Sequence, residues 1–177
     1  MQRTTASIRY AKALFYLALE ETKSNEVLID LNKFLAILDK EEQLVSLVSN
    51  PTVKYKIKQK LFKKLFKDIV NPLTMDFLQL VIKKGREAYI KDIIFKYEEL
   101  YNNYNNISVV QVVSAEPLTD QLKDSIKKKL SYGGGEVKLK EIINKNLLGG
   151  FIIKRGDMQY DASIKKKLRN AKRAFKL

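Results

Sequence analysis

The residues of this 177-residue chain that could do chemistry are carboxylates, lysines and glycine clusters, since histidine and cysteine are both absent. Without imidazole the chain lacks the usual neutral-pH general base, the commonest metal ligand and any serine–histidine triad. Without thiols, disulfides, thiolate metal sites and thiol nucleophiles are excluded. Adjacent carboxylates occur at Glu20-Glu21, Glu41-Glu42 and Glu98-Glu99. They sit in helical patterns among polar neighbours, and nothing marks the shared pocket that a catalytic pair with shifted pKa values needs. Gly133-Gly134-Gly135 and Gly149-Gly150 fit neither the phosphate-loop spacing nor the dinucleotide fingerprint, so they read as turns and close backbone approaches, and no cofactor is expected. The lysine runs 127–129 and 165–167 fan around their helices and cannot form one flat patch. Catalysis is therefore not the expected activity; binding is.

Net charge bears on what is bound. Lys+Arg total 34 against 20 Asp+Glu, a formal +14. Residues 1–105 hold 18 basic and 13 acidic side chains, and residues 106–177 hold 16 and 7, so the second part is the more basic. Such a bias fits an anionic partner, and a basic RNA-binding protein is the alternative function on this ground. Only six residues are arginine, the type favoured for phosphate and base readout, and the aromatics Phe15, Phe34, Phe77 and Tyr97 fall on core stripes. No run of ~18 apolar residues exists to span a bilayer, and Met1–Thr5 lacks a signal core, which points to a reducing, cytosol-side compartment.

The elements that position these residues follow from periodicity. Residues 1–105 read as six amphipathic helices. The first, Thr5 to Glu21, carries the stripe Ala11, Leu14, Phe15, Ala18 and a second stripe Ala6, Tyr10, Ala13, Leu17. A helix on the outside of a bundle needs only one. Ser24 or Asn25 is expected to cap the second helix, and a short third helix carries Leu44, Val45, Leu47 and Val48. The fourth, Val53 to Phe66, is expected to bury Ile57, Leu61, Phe62 and Leu65 behind a lysine face that includes Lys58. Asn71-Pro72 starts the fifth helix, with Leu73, Phe77, Leu78, Leu80, Val81 and Ile82, and Gly85 stops it. A sixth runs past Ile90 to Tyr101. The doubled stripe allows two readings: a central helix covered all round by neighbours, or an open groove for a partner helix. The apolar excess of the fifth helix favours a groove shared between the two.

After the asparagine-rich 102–106 the period changes. Ile107–Ser114 and Val137–Ile143 read as strands around a helix with Leu122, Ile126 and Leu130. Leu148–Lys154 and Met158–Tyr160 read as a hairpin on a type II′ turn at Gly156. Asp161-Ala162-Ser163 caps a basic final helix with Ile164, Leu168, Ala171 and Phe175. The fold class is mainly α with a small α/β part: a six-helix bundle (1–105) followed by an α+β domain (106–177).

Five segments together resemble the delta subunit of F-type ATP synthases, called OSCP in mitochondria. They are Arg9-Tyr10-Ala11-Lys12-Ala13-Leu14-Phe15; Asn50-Pro51-Thr52-Val53; Phe77 to Arg86 (FLQLVIKKGR); Val113 to Thr119 (VSAEPLT); and Leu148 to Asp157 (LGGFIIKRGD) with Tyr160-Asp161-Ala162-Ser163-Ile164. That family usually shows glycine where Ala162 stands. The resemblance spans nearly the whole chain. It implies a non-catalytic peripheral-stalk subunit on the cytoplasmic side of the inner membrane. Such a subunit joins the catalytic head to the b subunit and resists rotor torque during proton-driven ATP synthesis, without inserting in the membrane and without nucleic acid. It implies that the N-terminal helix of an alpha subunit lies between the first and fifth helices, against Ala6, Tyr10, Ala13, Leu17, Phe77, Leu80 and Val81. It also implies that the C-terminal end of b meets the basic second domain, with Lys165, Lys166, Arg169 and Arg173 as the expected contacts.

Overall fold

Helical periodicity in the first hundred residues becomes α1 (Thr5–Glu20), α2 (Ser24–Lys40), α3 (Tyr55–Phe66), α4 (Pro72–Lys83) and α5 (Ile90–Tyr104), with a 3-10 turn at Glu87–Tyr89. The computed structural model describes residues 5–41, 44, 46, 47, 50, 52–131 and 135–174. Val45 and Val48 of the expected third helix lie outside the described residues, as do Gly133, Gly134 and Phe175 and the side chain of Ala171. Among the described residues, five α-helices precede the first strand, so α4 is the helix expected as the fifth. The chain divides into two units, Met1–Tyr101 and Asn102–Leu177.

Three helices, α1, α4 and α5, end in the same way. After α1, Lys23 N–H donates to Ala18 O and Thr22 N–H to Leu19 O, with Thr22 left-handed at φ 56°. After α4, Arg86 N–H donates to Val81 O and Gly85 N–H to Ile82 O, with Gly85 at φ 63°. After α5, Ile107 and Asn106 repeat the pair on Asn102 and Asn103. These are Schellman endings, in which a left-handed residue lets two terminal carbonyls find donors. Glycine and asparagine take that conformation cheaply; Thr22, β-branched, takes it at a cost of roughly 1–2 kcal/mol.

Two expectations are corrected here. The residue before α2 is Lys23, which makes no side-chain cap. The tight α1 ending delivers the chain straight into helix, so Ser24 and Asn25 already lie inside it. They serve instead as acceptors: Ser24 O for the Tyr97 hydroxyl (2.9 Å) and Asn25 Oδ1 for the Tyr101 hydroxyl (3.2 Å). Helix α3 is turned from the expected face. Lys58, Phe62 and Phe66 are buried, while Ile57 is 56% and Leu65 44% exposed. The rings of Phe34, Phe62 and Phe66 pack within 5.6 Å of one another, and that aromatic cluster buries more area than Ile57 and Leu65 could. Lys58 is tolerated inside because its ammonium pairs with Glu87.

In the second unit the order is β1 (Ser108–Ser114), α6 (Asp120–Leu130), β2 (Val137–Ile143), β3 (Phe151–Arg155), β4 (Met158–Asp161) and α7 (Ile164–Ala174). The strands lie β2-β1-β3-β4, with β1 parallel to β2 through the α6 crossover and the other pairs antiparallel. Val110 and Val112 face inward with Ile126 of α6 and Val137. The β3–β4 hairpin turns in two residues, with positive φ at Gly156 alone, as a type II′ turn requires. Strand β3 starts three residues later than expected, because Leu148, Gly149 and Gly150 all have positive φ. A Cβ on Gly150 would stand 2.5 Å from Ala162 O, so this backbone must pass bare against the start of α7. Among the described residues, no helix is long and apolar enough to cross a membrane.

Candidate functional site

The first unit carries an apolar groove of about 560 Å³ between α1 and α4. Its lining is Ala6, Arg9, Tyr10, Ala13, Leu14 and Leu17 from α1, Leu73, Asp76, Phe77 and Leu80 from α4, and Arg86 just beyond it. On α1 these positions recur at three- and four-residue steps and run roughly 16 Å at 1.5 Å per residue, the length of a three-turn helix.

The other stripe of α1 holds it in place. Ala11, Leu14, Phe15 and Ala18 are at most 5% exposed, and Phe15 meets Tyr97 edge-on at 5.6 Å. Burial pushes the Tyr97 hydroxyl well above the usual tyrosine pKa, with Tyr101 adding to the shift. The wall formed by α4 is fixed from below. Asn71 caps the helix by accepting from Leu73 N–H at 3.1 Å, and Pro72 occupies its first turn. The Asp30 carboxylate of α2, itself 7% exposed, accepts from Asn71 N–H at 2.6 Å and from the Thr74 hydroxyl at 3.4 Å. This places a negative charge at the positive end of α4.

Six of the seven expected groove residues line this one groove: Ala6, Tyr10, Ala13, Leu17, Phe77 and Leu80. Ala13 is exposed, and Leu17 and Leu80 are each 44% exposed. Tyr10 is half-buried, and its ring meets Phe77 edge-on at 6.4 Å to form the floor. Val81 is the exception: it is 0% exposed and belongs to the core. Leu73, Phe77 and Leu80 follow the i, i+4, i+7 rule. Val81 lies about 100° beyond Leu80 and turns inward. Leu73 was legible from that rule; Arg9, Asp76 and Arg86 carry no apolar signal and were not.

Lys165, Arg169 and Arg173 are exposed and Lys166 is half-buried, at spacings that put them along one side of α7. The opposite side is exposed too, with Ile164 at 44% and Leu168 at 55%. Nearby in sequence, Tyr160 is 66% and Leu148 72% exposed. Ser163 caps α7 by accepting from Lys166 N–H at 3.2 Å, and Asp161 accepts from Ser163 N–H at 2.9 Å. Those bonds from the Ser163 hydroxyl and N–H hold the Asp161 carboxyl below its usual range. Glu141 is lowered likewise, by Leu118 N–H and then by the Lys123 ammonium. Among the described residues there is no cluster of three potential metal ligands.

A family model described as the ATP synthase delta (OSCP) subunit matches residues 6–175. A protein named ATP synthase subunit delta from Cytophaga hutchinsonii is 32% identical over 99% of this chain and 96% of its own length. One of the same name from Carboxydothermus hydrogenoformans is 34% identical, covering 99% of both. Among solved structures, a chain of the Toxoplasma gondii mitochondrial ATP synthase hexamer shares the fold with a TM-score of 0.76, at 21% identity over 98% of this chain and 99% of that one.

Proposed function

We propose that this chain, which belongs to the ATP synthase delta (OSCP) subunit family, is the non-catalytic stator subunit that ties the catalytic head of an F-type ATP synthase to its peripheral stalk. Head attachment is through the first unit: the N-terminal helix of an alpha subunit lies in the α1–α4 groove. Stalk attachment is through the second: the C-terminal end of b lies on α7, with Lys165, Lys166, Arg169 and Arg173 as its polar contacts. The subunit sits on the cytoplasmic side of the membrane and touches no lipid.

The observation that carries this reading is the apolar lining of the groove, exposed to water at Ala13, Leu17 and Leu80, half-buried at Ala6, Tyr10 and Leu73, and floored by the buried Phe77 and Leu14. A stator must stay bound under torque. Each fully buried leucine- or phenylalanine-sized anchor contributes roughly 1.5–3 kcal/mol, whereas association costs roughly 4–15 kcal/mol. One or two anchors are too few. A three-turn helix can set four or more against Tyr10, Leu17, Leu73, Phe77 and Leu80. Surface ion pairs at below ~1 kcal/mol each cannot substitute.

The test is a titration of the full chain with the N-terminal peptide of its cognate alpha subunit, read by amide chemical shifts. Shifts are expected at Tyr10, Ala13 and Leu80. Ala13→Asp, on an exposed site, is expected to stay folded and to weaken binding by at least tenfold, since it places an unpaired charge against an apolar helix. Unchanged affinity in that variant would remove the groove assignment. The RNA-binding alternative gains nothing from relatives that are all named as ATP synthase subunits.

A further inference from the structure

Eight of the eleven groove-lining residues are apolar or aromatic; the other three are Arg9, Asp76 and Arg86. Both cations are arginine, although Lys+Arg total 34 and only six of these are arginine. No lysine lines the groove. The difference is chemical. Lysine is a hydrated point charge, whereas the guanidinium is a planar fork that matches a carboxylate with two parallel hydrogen bonds.

Arg86 is also prepared for such a contact. Its backbone N–H closes the α4 ending on Val81 O at 3.0 Å, which fixes where its side chain leaves the chain. Its guanidinium carbon lies 5.9 Å from the centre of the Tyr89 ring. Stacking orients the fork and leaves its edge donors open, because the residue is exposed. Less freedom then remains to be lost on binding. Arg9 and Asp76 are exposed and have no ion-pair partner among the described residues.

We propose that Arg9 and Arg86 determine which helix the groove accepts: an amphipathic helix of about three turns with carboxylates flanking its apolar stripe, and a cation placed to meet Asp76. This rests on the groove reading above and adds to it a rule for choosing the occupant. Apolar contact holds the helix. The rim charges set its register and rotation, and reject helices whose flanks are basic.

The test is calorimetric titration of the full chain with the cognate alpha N-terminal peptide, at roughly 50 mM and roughly 500 mM salt, which span weak and strong screening. The variant Arg9→Gln/Arg86→Gln is expected to lose about tenfold in affinity at low salt, two rim pairs' worth, and far less at high salt. Changing the flanking carboxylates of the peptide to amides should produce the same loss, and combining both changes should add nothing further. Arg86→Lys, which keeps the charge without the fork, should fall between. Leu80→Asp should abolish binding at both salts. If the double arginine variant matches the unmodified chain in affinity and salt slope while Leu80→Asp abolishes binding, the rim rule is overturned and the groove stands. If Leu80→Asp leaves binding intact, the groove reading itself fails. A cognate peptide with no carboxylate beside its apolar stripe overturns the rim rule outright.

Discussion

The two units present their spare apolar surface differently. The first, Met1–Tyr101, has a continuous core that runs from Ala11 through the Phe34–Phe62–Phe66 cluster to Tyr97. Part of its spare apolar surface lines the preformed hollow between α1 and α4, and the rest lies outside it on side chains such as Tyr16, Ile29, Ile57, Leu65 and Phe95. The second, Asn102–Leu177, has a fully buried core of Val110, Val112, Ile126 and Val137. Its spare apolar surface includes Leu148, Met158, Tyr160, Ile164 and Leu168. Depth of core decides this. A unit with enough buried area can keep a concave apolar face open to water and stay folded. A unit with less buried area gains proportionally more stability from anything that covers its exposed apolar side chains.

The sharpest way to break the contrast is truncation. Phe62→Ala removes a ring that is 0% exposed and is expected to cost the first unit roughly 3–5 kcal/mol, read by amide exchange in α2 and α3. Ile126→Ala is expected to cost the second unit less, roughly 2–4 kcal/mol, yet to abolish protection across α6 and β1, because only Val110, Val112 and Val137 are buried beside it in that cluster and the rest of it is half-buried. Surviving protection in that sheet would mean the small core is sturdier than its membership suggests.

A smaller effect is expected at the α7 junction. Gly150→Ala puts a Cβ against Ala162 O at a position with φ +75°, and should destabilise the second unit by roughly 1–3 kcal/mol. Amide exchange should rise first at Ile164 and Lys166. An equal rise in α1 or α4 would deny that the strain is local.

The mildest probe is pH, and the units should answer at opposite ends of the scale. Glu141 and Asp161 titrate below their ordinary values of 4.5 and 3.8 in the folded chain. The stability they add is complete above those ordinary values. It is lost as pH falls through them toward the lower folded ones. Tyr97 titrates above its ordinary 10.0, so its contribution is complete below that value and lost as pH rises beyond it. Acid should therefore loosen the Leu118–Glu141 contact, and alkali should loosen Tyr97 from Ser24. Glu141→Gln should remove its share of the acid response. Amide spectra at low, neutral and high pH check both, and a Leu118 amide that does not move in acid would sink the first.

What the amino-acid sequence determined by itself was most of what is set within about four residues, the start of α2 and of β3 excepted. The stripes of α1 and α4, the Asn71-Pro72 start, the Gly85 ending and the type II′ hairpin at Gly156 all follow from backbone sterics and a 3.6-residue period, and so were legible without coordinates. So was most of the groove, because surplus apolar positions show on the same period. Tertiary structure decided what local periodicity leaves degenerate, namely which face a neighbour covers. It turned Val81 into the core while Leu80 stayed outside. It buried Lys58 in place of Ile57 because Glu87 supplied a countercharge from 29 residues away. It carried Arg86, which no apolar pattern marks, onto the rim beside Arg9. A helix repeats its faces by geometry, but only the helices packed against it determine which of them meets water.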